Sequence, residues 1–247
     1  MKRLLSPYEL NHLRRHGIDP EKIDEYGQMP VEYITGYAEI YRREFVVNQH
    51  VLIPRVEEED LIHLALEQCP KIDSLVIADI GTGSGCLGIS LFLELKKQGR
   101  QSRVYLSDIS DQALDIARVN IERLIKGRDR ESISVVRSDL FAAYPSGLQF
   151  DLIVANLPYI PSRSIASLDL SVRDYEPRLA LDGGPDGLAV IKKFLEQVLH
   201  RMRKRGKIVI EVNETHQPNQ LKILEKYVTE IHEDQFGKQR FWVITAR

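Results

Sequence analysis

Leu75-Val76-Ile77-Ala78-Asp79-Ile80-Gly81-Thr82-Gly83-Ser84-Gly85-Cys86-Leu87-Gly88 is the stretch that decides the fold. Leu75–Ile80 is a largely apolar run of strand length, and Leu87–Lys97 is apolar-periodic and of helical length. The glycines between them permit a tight turn and let a ligand approach the backbone. Working outward, the pattern predicts strands at Arg103–Ser107, Ser132–Val136, Phe150–Ala155 and Lys207–Val212. Helices are predicted at Asp111–Ile125, which Asp111 could cap, at Leu188–Arg203 and at Gln217–Val228. Ile231–Asp234 and Arg240–Thr245 read as a closing antiparallel pair. Strand and helix alternating at this spacing predict an α/β protein with a mostly parallel sheet covered on both faces. Its ligand belongs at the C-terminal strand ends.

Upstream, Glu57–Gln68 reads as a helix with Leu61, Ile62, Leu64, Ala65 and Leu66 at its apolar positions. Glu44–Asn48 and His50–Pro54 are strand-like. Residues 1–30 are polar and broken by Pro7, Gly17, Pro20, Gly27 and Pro30, with helical periodicity only in 7–16 and 20–26. The expected organisation is a short helical arm (1–30), a connector of hairpin and helix (31–70) and a main domain (71–247).

Composition narrows the function classes. Of 247 residues, 43% are apolar and 28% charged, ordinary values for a folded globular chain. There is no long uncharged apolar window and no apolar stretch near the N-terminus, so neither a membrane span nor a secretory signal is expected. Cys69 and Cys86 form no CxxC pair, which argues against a disulfide framework or a zinc site and for a cytoplasmic setting. The seven histidines show no HxH or HExxH spacing, so no metal is expected. With 34 basic against 36 acidic residues, no nucleic-acid footprint stands out. The strongest basic run, Arg201-Met202-Arg203-Lys204-Arg205, suits a helix C-terminus.

Gly83-x-Gly85-x-x-Gly88 formally matches a dinucleotide fingerprint, and Asp108 lies where a ribose-binding acid belongs. A nicotinamide oxidoreductase is therefore one reading of the loop. Two details favour S-adenosylmethionine instead. Asp79 at the strand end suits a cationic ligand and repels a pyrophosphate. Three glycines at alternate positions also make a wider loop than a dinucleotide turn needs.

Asn156-Leu157-Pro158-Tyr159 follows the buried strand Asp151–Ala155, and here the chain resembles the HemK family of protein glutamine-N5 methyltransferases, which modify peptide chain release factors. The resemblance also rests on Pro30-Val31-Glu32-Tyr33-Ile34-Thr35-Gly36, Val51-Leu52-Ile53-Pro54-Arg55, Ser107-Asp108-Ile109-Ser110 and Ser138-Asp139-Leu140-Phe141. Tyr175-Glu176-Pro177-Arg178-Leu179-Ala180-Leu181-Asp182-Gly183-Gly184-Pro185-Asp186-Gly187-Leu188 completes it. Coverage runs from about residue 30 onward. The asparagine tetrapeptide alone is shared with nucleic-acid amino-methyltransferases; the Ile-Pro-Arg and Glu-Pro-x-x-Ala-Leu-x-Gly-Gly segments are more specific.

The resemblance implies a class I S-adenosylmethionine-dependent methyltransferase fold: Rossmann-like, with a mostly parallel seven-stranded sheet and an antiparallel C-terminal strand. It implies that Asp79 and the loop Gly81, Thr82, Gly83, Ser84 and Gly85 hold the methionine moiety. Asp108 with Ile109 would hold the ribose, and Asp139 with Leu140 the adenine. Asn156, Leu157, Pro158 and Tyr159 would hold the substrate amide, Asn156 also bordering the cofactor, with Arg55 and Glu176 on the substrate side. The implied partner is a release factor, with neither stable nucleic-acid binding nor a membrane. The chain departs from the family pattern in three places. Leu157 replaces a proline, Val56-Glu57-Glu58-Glu59 lacks another, and residues 1–30 stand where a longer helical domain is usual.

A glutamine nitrogen is a poor nucleophile because its lone pair is delocalised into the carbonyl. Accepting hydrogen bonds from both of its N–H groups localises that pair, and alignment with an electrophilic methyl does the rest. The Asn156 side-chain oxygen and a backbone carbonyl beside Pro158 are the natural acceptors, and Tyr159 could stack on the amide. Arg55 reads as a pairing with Glu57–Glu59 or as a partner contact; Glu176 and Pro177 read as shaping the channel. Two alternatives stand beside this reading: an N6-adenine methyltransferase acting on a flipped base, and a dinucleotide oxidoreductase or non-catalytic nucleotide-binding module.

Overall fold

The computed structural model describes residues 3–246; residues 1, 2 and 247, the outer ends of the expected arm and main domain, lie outside the described residues. Seven strands form the main sheet: β3 (Ser74–Ile80), β4 (Gln101–Asp108), β5 (Ile133–Arg137), β6 (Phe150–Asn156), β7 (Met202–Glu211), β8 (Tyr227–Glu233) and β9 (Gln239–Ala246). Their order is β5-β4-β3-β6-β7-β9-β8. β9 alone runs against its neighbours, pairing antiparallel with both β7 and β8. The other pairs, β5-β4, β4-β3, β3-β6 and β6-β7, are parallel. The expected sheet and its antiparallel closing pair are both present.

Side-chain alternation along each strand feeds two cores. Ile77, Leu152 and Val154 face one cluster, built with Leu61 and Ile62 of α3 (Glu57–Gln68) and Ile89 and Leu95 of α4 (Cys86–Lys97). Ala78, Ile80, Ile153 and Ala155 face the other, built on Phe141, Phe194 and Trp242. Helix α5 (Asp111–Leu124) flanks β4 and β5. Its cap is Ser110, whose hydroxyl accepts from Ala113 N at 3.2 Å, so Asp111 is the first helical residue rather than the expected cap.

Four expectations need correction. The helix starting near Leu188 is α8 (Ala189–Val198) and stops short of the basic run. Phe150 N donates to Arg201 O (2.8 Å), and Arg203 reaches the largely buried carboxylate of Asp151 (2.7 Å), so these residues lead into β7 instead of ending a helix. Gln217–Val228 is not an α-helix. Pro218–Gln220 and Lys222–Lys226 are 3-10 turns that bury Leu221 and Leu224 at a three-residue spacing, and sheet pairing then claims Tyr227 and Val228 for β8. His50–Pro54 forms no strand, because Asn48 folds back locally: Val51 N donates to its carbonyl and His50 N to its side chain.

Finally, the connector opens with a short helix, α2 (Val31–Thr35), before a hairpin of β1 (Tyr37–Ile40) and β2 (Arg43–Val46). Tyr41 and Arg42 make its turn at φ 50° and 58°. Helix α1 (Pro7–Arg15) carries a Ser6/Glu9 capping box and buries Leu13 against Ile23 and Val31. The hairpin is tied to the main sheet by Asn120 of α5. Its side chain accepts from Val46 N (2.7 Å) and donates to Val46 O (3.0 Å) and Ser84 O (2.9 Å). Among the described residues no helix is long and apolar enough to cross a membrane.

Candidate active site

The turn between β3 and α4 is held from both sides. Gly81 N and Thr82 N both donate to Ser107 O, at 2.8 and 2.9 Å, fastening the loop to β4. From beneath, one oxygen of Asp79 accepts from Thr82 Oγ1 (2.6 Å) and Gly88 N (2.9 Å). Asp79 is only 1% exposed, and burial pushes its carboxyl up to about 7 against the pull of those two donors. At the end of β4, Asp108 accepts from Gly83 N (3.0 Å) with one oxygen and from Ser110 N (2.9 Å) with the other. Burial raises its pKa, while these backbone donors lower it.

Above the loop lies a cavity of about 690 Å³. Gly81, Thr82, Gly83 and Ser84 form one wall, continued by Asp108, Ile109, Asp139 and Leu140. Asn156, Leu157 and Pro158 form an adjoining wall with Glu58. Pro177 and Leu179, near the short helix α7 (Arg178–Leu181), border it, as do His50 and Leu52. Leu140 turns at φ 53°, a conformation costly for a side-chain-bearing residue and frequent where a site dictates the backbone.

The tetrapeptide after β6 is buttressed by the glycine-rich segment downstream. Ile160 N donates to Leu181 O (3.0 Å), and Gly183 N donates to Ile160 O (2.9 Å). A β-carbon at Gly183 would lie 2.7 Å from Pro158 O and 2.8 Å from Tyr159 Cα, so only glycine permits this contact. Tyr159 donates its hydroxyl to Glu211 Oε1 (2.8 Å). Burial pushes Glu211 up to about 8, with the Glu58 charge adding to the rise.

Several residues expected at the site stand behind the walls. Asp79 braces the loop from below, and Gly85 caps α4 at φ 83°, packed on Ile89 and Ala117. Tyr159 is engaged by Glu211 and is not on the cavity wall. Arg55 pairs not with Glu57–Glu59 but with Glu176, whose side chain is fully buried; Glu176 also accepts from Ile53 N at 3.3 Å. The pair joins the loop before α3 to the segment walling the cavity. Burial raises Glu176, and the Arg55 guanidinium counteracts it.

Glu58 is the residue that motif reading missed. It lies on the buried face of α3, in phase with Leu61, Ile62 and Ala65. Its Oε1 accepts from Asn156 Nδ2 (3.1 Å) and its Oε2 from Cys86 Sγ (3.2 Å). An acid on an apolar helical stripe was the available signal.

The strand order with one reversed strand, the glycine loop and the acid Asp108 ending β4 define the class I methyltransferase fold. Residues 62–168 match the methyltransferase small domain family. The chain is 38% identical over 216 residues to the release factor glutamine methyltransferase of Lactococcus lactis, covering 85% of this chain and 75% of that protein. It is 34% identical to that of Leptospira interrogans, covering 99% and 82%. The chain belongs to the release factor glutamine methyltransferase family. It spans under two thirds of some relatives, such as that of Koribacter versatilis, of which it covers 62% at 38% identity, with 74% of this chain matched. Among solved structures, a ribosomal protein L11 methylase from Lactobacillus delbrueckii superposes with a TM-score of 0.54 at 18% identity, covering 85% of this chain and 89% of that one.

Proposed function

We propose that the chain transfers a methyl group from S-adenosylmethionine to the side-chain nitrogen of a protein glutamine, and that the glutamine is that of the Gly-Gly-Gln loop of a peptide chain release factor. The observation that carries this reading is that one cavity is lined both by Asp108 and the glycine loop and by Asn156 and Pro158.

The residues present fit the cofactor. Asp79 lies beneath the loop, and Asp108 and Glu58 border the cavity, a setting that attracts an ammonium and a sulfonium and repels a pyrophosphate. The reversed β9 is likewise unlike the parallel sheet of a dinucleotide enzyme. When bound, S-adenosylmethionine supplies an electrophilic methyl. The loop from Gly81 to Ser84 would hold its methionine end, Asp108 its ribose hydroxyls, and Leu140 its adenine.

The protein's own work is orientation. Asn156 Oδ1 would accept one N–H of the target amide. Gly183 packs against the Pro158 carbonyl, which leaves the Leu157 carbonyl, beside Pro158, as the second acceptor. Two acceptors on one nitrogen localise its lone pair for attack on the methyl carbon, whose bond to sulfur breaks as the new N–C bond forms. The proton then shed by the methylated nitrogen passes to solvent, and no general base is needed. A small loop with two glycines can enter such a cavity without gripping phosphates, and a formal charge of −2 gives DNA little attraction. Release factors also place the reaction in the cytoplasm.

The test is tritium transfer to a full-length release factor, to its loop Gln→Ala variant and to DNA, each at two salt concentrations. Label on the factor alone is expected. Label on DNA with steep salt dependence, and none on the factor, replaces this reading with that of an adenine methyltransferase.

A further inference from the structure

We infer that Glu58 is the positioning residue of this site: its carboxylate sets the side-chain amide of Asn156 so that Oδ1, and not Nδ2, is presented to the cavity. The inference rests on the reading that Asn156 receives the target amide.

The backbone of Asn156 is fixed independently. Asn156 ends β6 in register with Glu211 of β7, and its neighbour Ala155 is in register with Ile80 of β3. What the sheet leaves open is the side-chain torsion, and an amide turned by 180° exchanges an acceptor for a donor. A flipped Asn156 would offer N–H groups to a substrate that itself offers N–H groups. Glu58 removes that alternative. Burial raises the pKa of Glu58, while the donors Cys86 and Asn156 oppose that rise by favouring the ionised form, which only accepts. Nδ2 therefore lies toward it at 3.1 Å, whereas Oδ1 in that place would oppose oxygen with oxygen.

The setting of Glu58 supports the assignment. A carboxylate 6% exposed on the apolar side of a helix is expensive to keep. Its hydrogen-bonding donors are Asn156 and, on the other oxygen, the thiol of Cys86 at 3.2 Å, not a lysine or arginine. Cys86 holds the carboxylate's rotation, so the chain from Cys86 through Glu58 to Asn156 links the start of α4 to the end of β6. An alanine or leucine at position 58 would complete the helix face more cheaply. The polar group is accounted for by what it does to Asn156.

The test is a cycle of Glu58→Gln, Asn156→Asp and the double variant, assayed for methyl transfer to the release factor and for S-adenosylmethionine affinity by calorimetry. Glu58→Gln gives a side chain that accepts either orientation; kcat should fall about 10- to 100-fold, the range for a charged hydrogen bond, with cofactor Kd unchanged within about threefold. Asn156→Asp sets two carboxylates face to face and should fall at least as far. In the double variant the introduced glutamine donates to the introduced aspartate, restoring an acceptor toward the cavity, and kcat should exceed that of both single variants. A double variant no better than the better single, or a Glu58→Gln enzyme of unchanged kcat, overturns the inference. So does a cofactor Kd that rises in step with the loss of kcat, since Glu58 would then serve the cofactor directly.

A measurement on the unaltered protein guards against variants that do not fold. The Asn156 side-chain NH₂ protons should exchange with water slowly, and the one facing Glu58 should be shifted downfield by the carboxylate; exchange as fast as that of an exposed asparagine refutes the contact. Absence of methyl transfer by the parent enzyme would refute the substrate reading instead, while this signal would still report on the Glu58–Asn156 bond.

Discussion

A β-carbon added to Gly81 would lie 2.9 Å from a methyl of Leu157, so the glycine loop and the residue after Asn156 are packed against each other. The two walls of the cavity therefore meet at a contact with no room for a methyl group, and Gly81 holds a φ of 72° besides. Gly81→Ala should cost about 1–3 kcal/mol for the left-handed backbone alone. Adding Leu157→Ala should relieve the clash but not the backbone. Thermal unfolding of both variants and of Leu157→Ala alone, which loses buried contacts of its own, separates these contributions: a double variant as stable as Leu157→Ala alone would show that the backbone conformation is not costly.

Asp108→Ala should weaken S-adenosylmethionine binding by about 1.5–3 kcal/mol, because it removes an acceptor that also holds the N–H groups of Gly83 and Ser110. Calorimetry measures it. Tight NADH binding by the parent, with no response to S-adenosylmethionine, would return the loop to the dinucleotide reading.

Stability without ligand should decline as pH rises. The folded state holds protons on Asp79 up to about 7 and on Glu211 up to about 8, whereas the unfolded chain releases them near pH 4. Between about pH 6.5 and 8, above the range where His12 and His216, lowered by burial, act the other way, the folded form thus binds more protons, and each rise in pH favours unfolding. Melting temperatures across this range should fall, and Asp79→Asn with Glu211→Gln should flatten the slope. A melting temperature that climbs steadily to pH 8 contradicts it.

Arg55→Ala should destabilise by about 1–3 kcal/mol, less than for a fully buried pair because the Arg55 side chain is 37% exposed. The cause is the Glu176 carboxylate, left in the interior without its cation. Glu176→Gln in the same background should recover part of the loss by removing that charge. Denaturant unfolding gives both values, and no recovery would mean that the pair acts through packing.

The parts of the fold that were legible were those with a strong local cause. Leu75–Ile80 and Phe150–Ala155 are apolar runs closed by glycine or proline, and each forms a central strand. The cavity position of Asn156, Leu157 and Pro158 followed from the strand before them. Where the reading failed, distant partners outweighed local pattern. Arg203 answers to Asp151, and Val228 to Thr245 across the sheet edge, neither of which periodicity reveals. The strand-end position of Asp79 is legible in the sequence, but that its carboxylate turns beneath the loop depends on Thr82 and Gly88. Arg55 found its partner 121 residues away.

Asn120 has a consequence for how the molecule assembles. Its buried amide is satisfied by Val46, 74 residues earlier in the chain, and by Ser84 at the end of the glycine loop. Closing so long a segment costs chain entropy before any contact returns it, so such pairings form slowly relative to helices and neighbouring strands. The hairpin's docking is therefore expected after α5 and the neighbouring strands β3 and β4 have formed, and no earlier than the pairing of β3 with β6, whose partners are as far apart in the chain. Until it occurs, Asn120 holds only Ser84, and the support behind the glycine loop is completed in step with the hairpin.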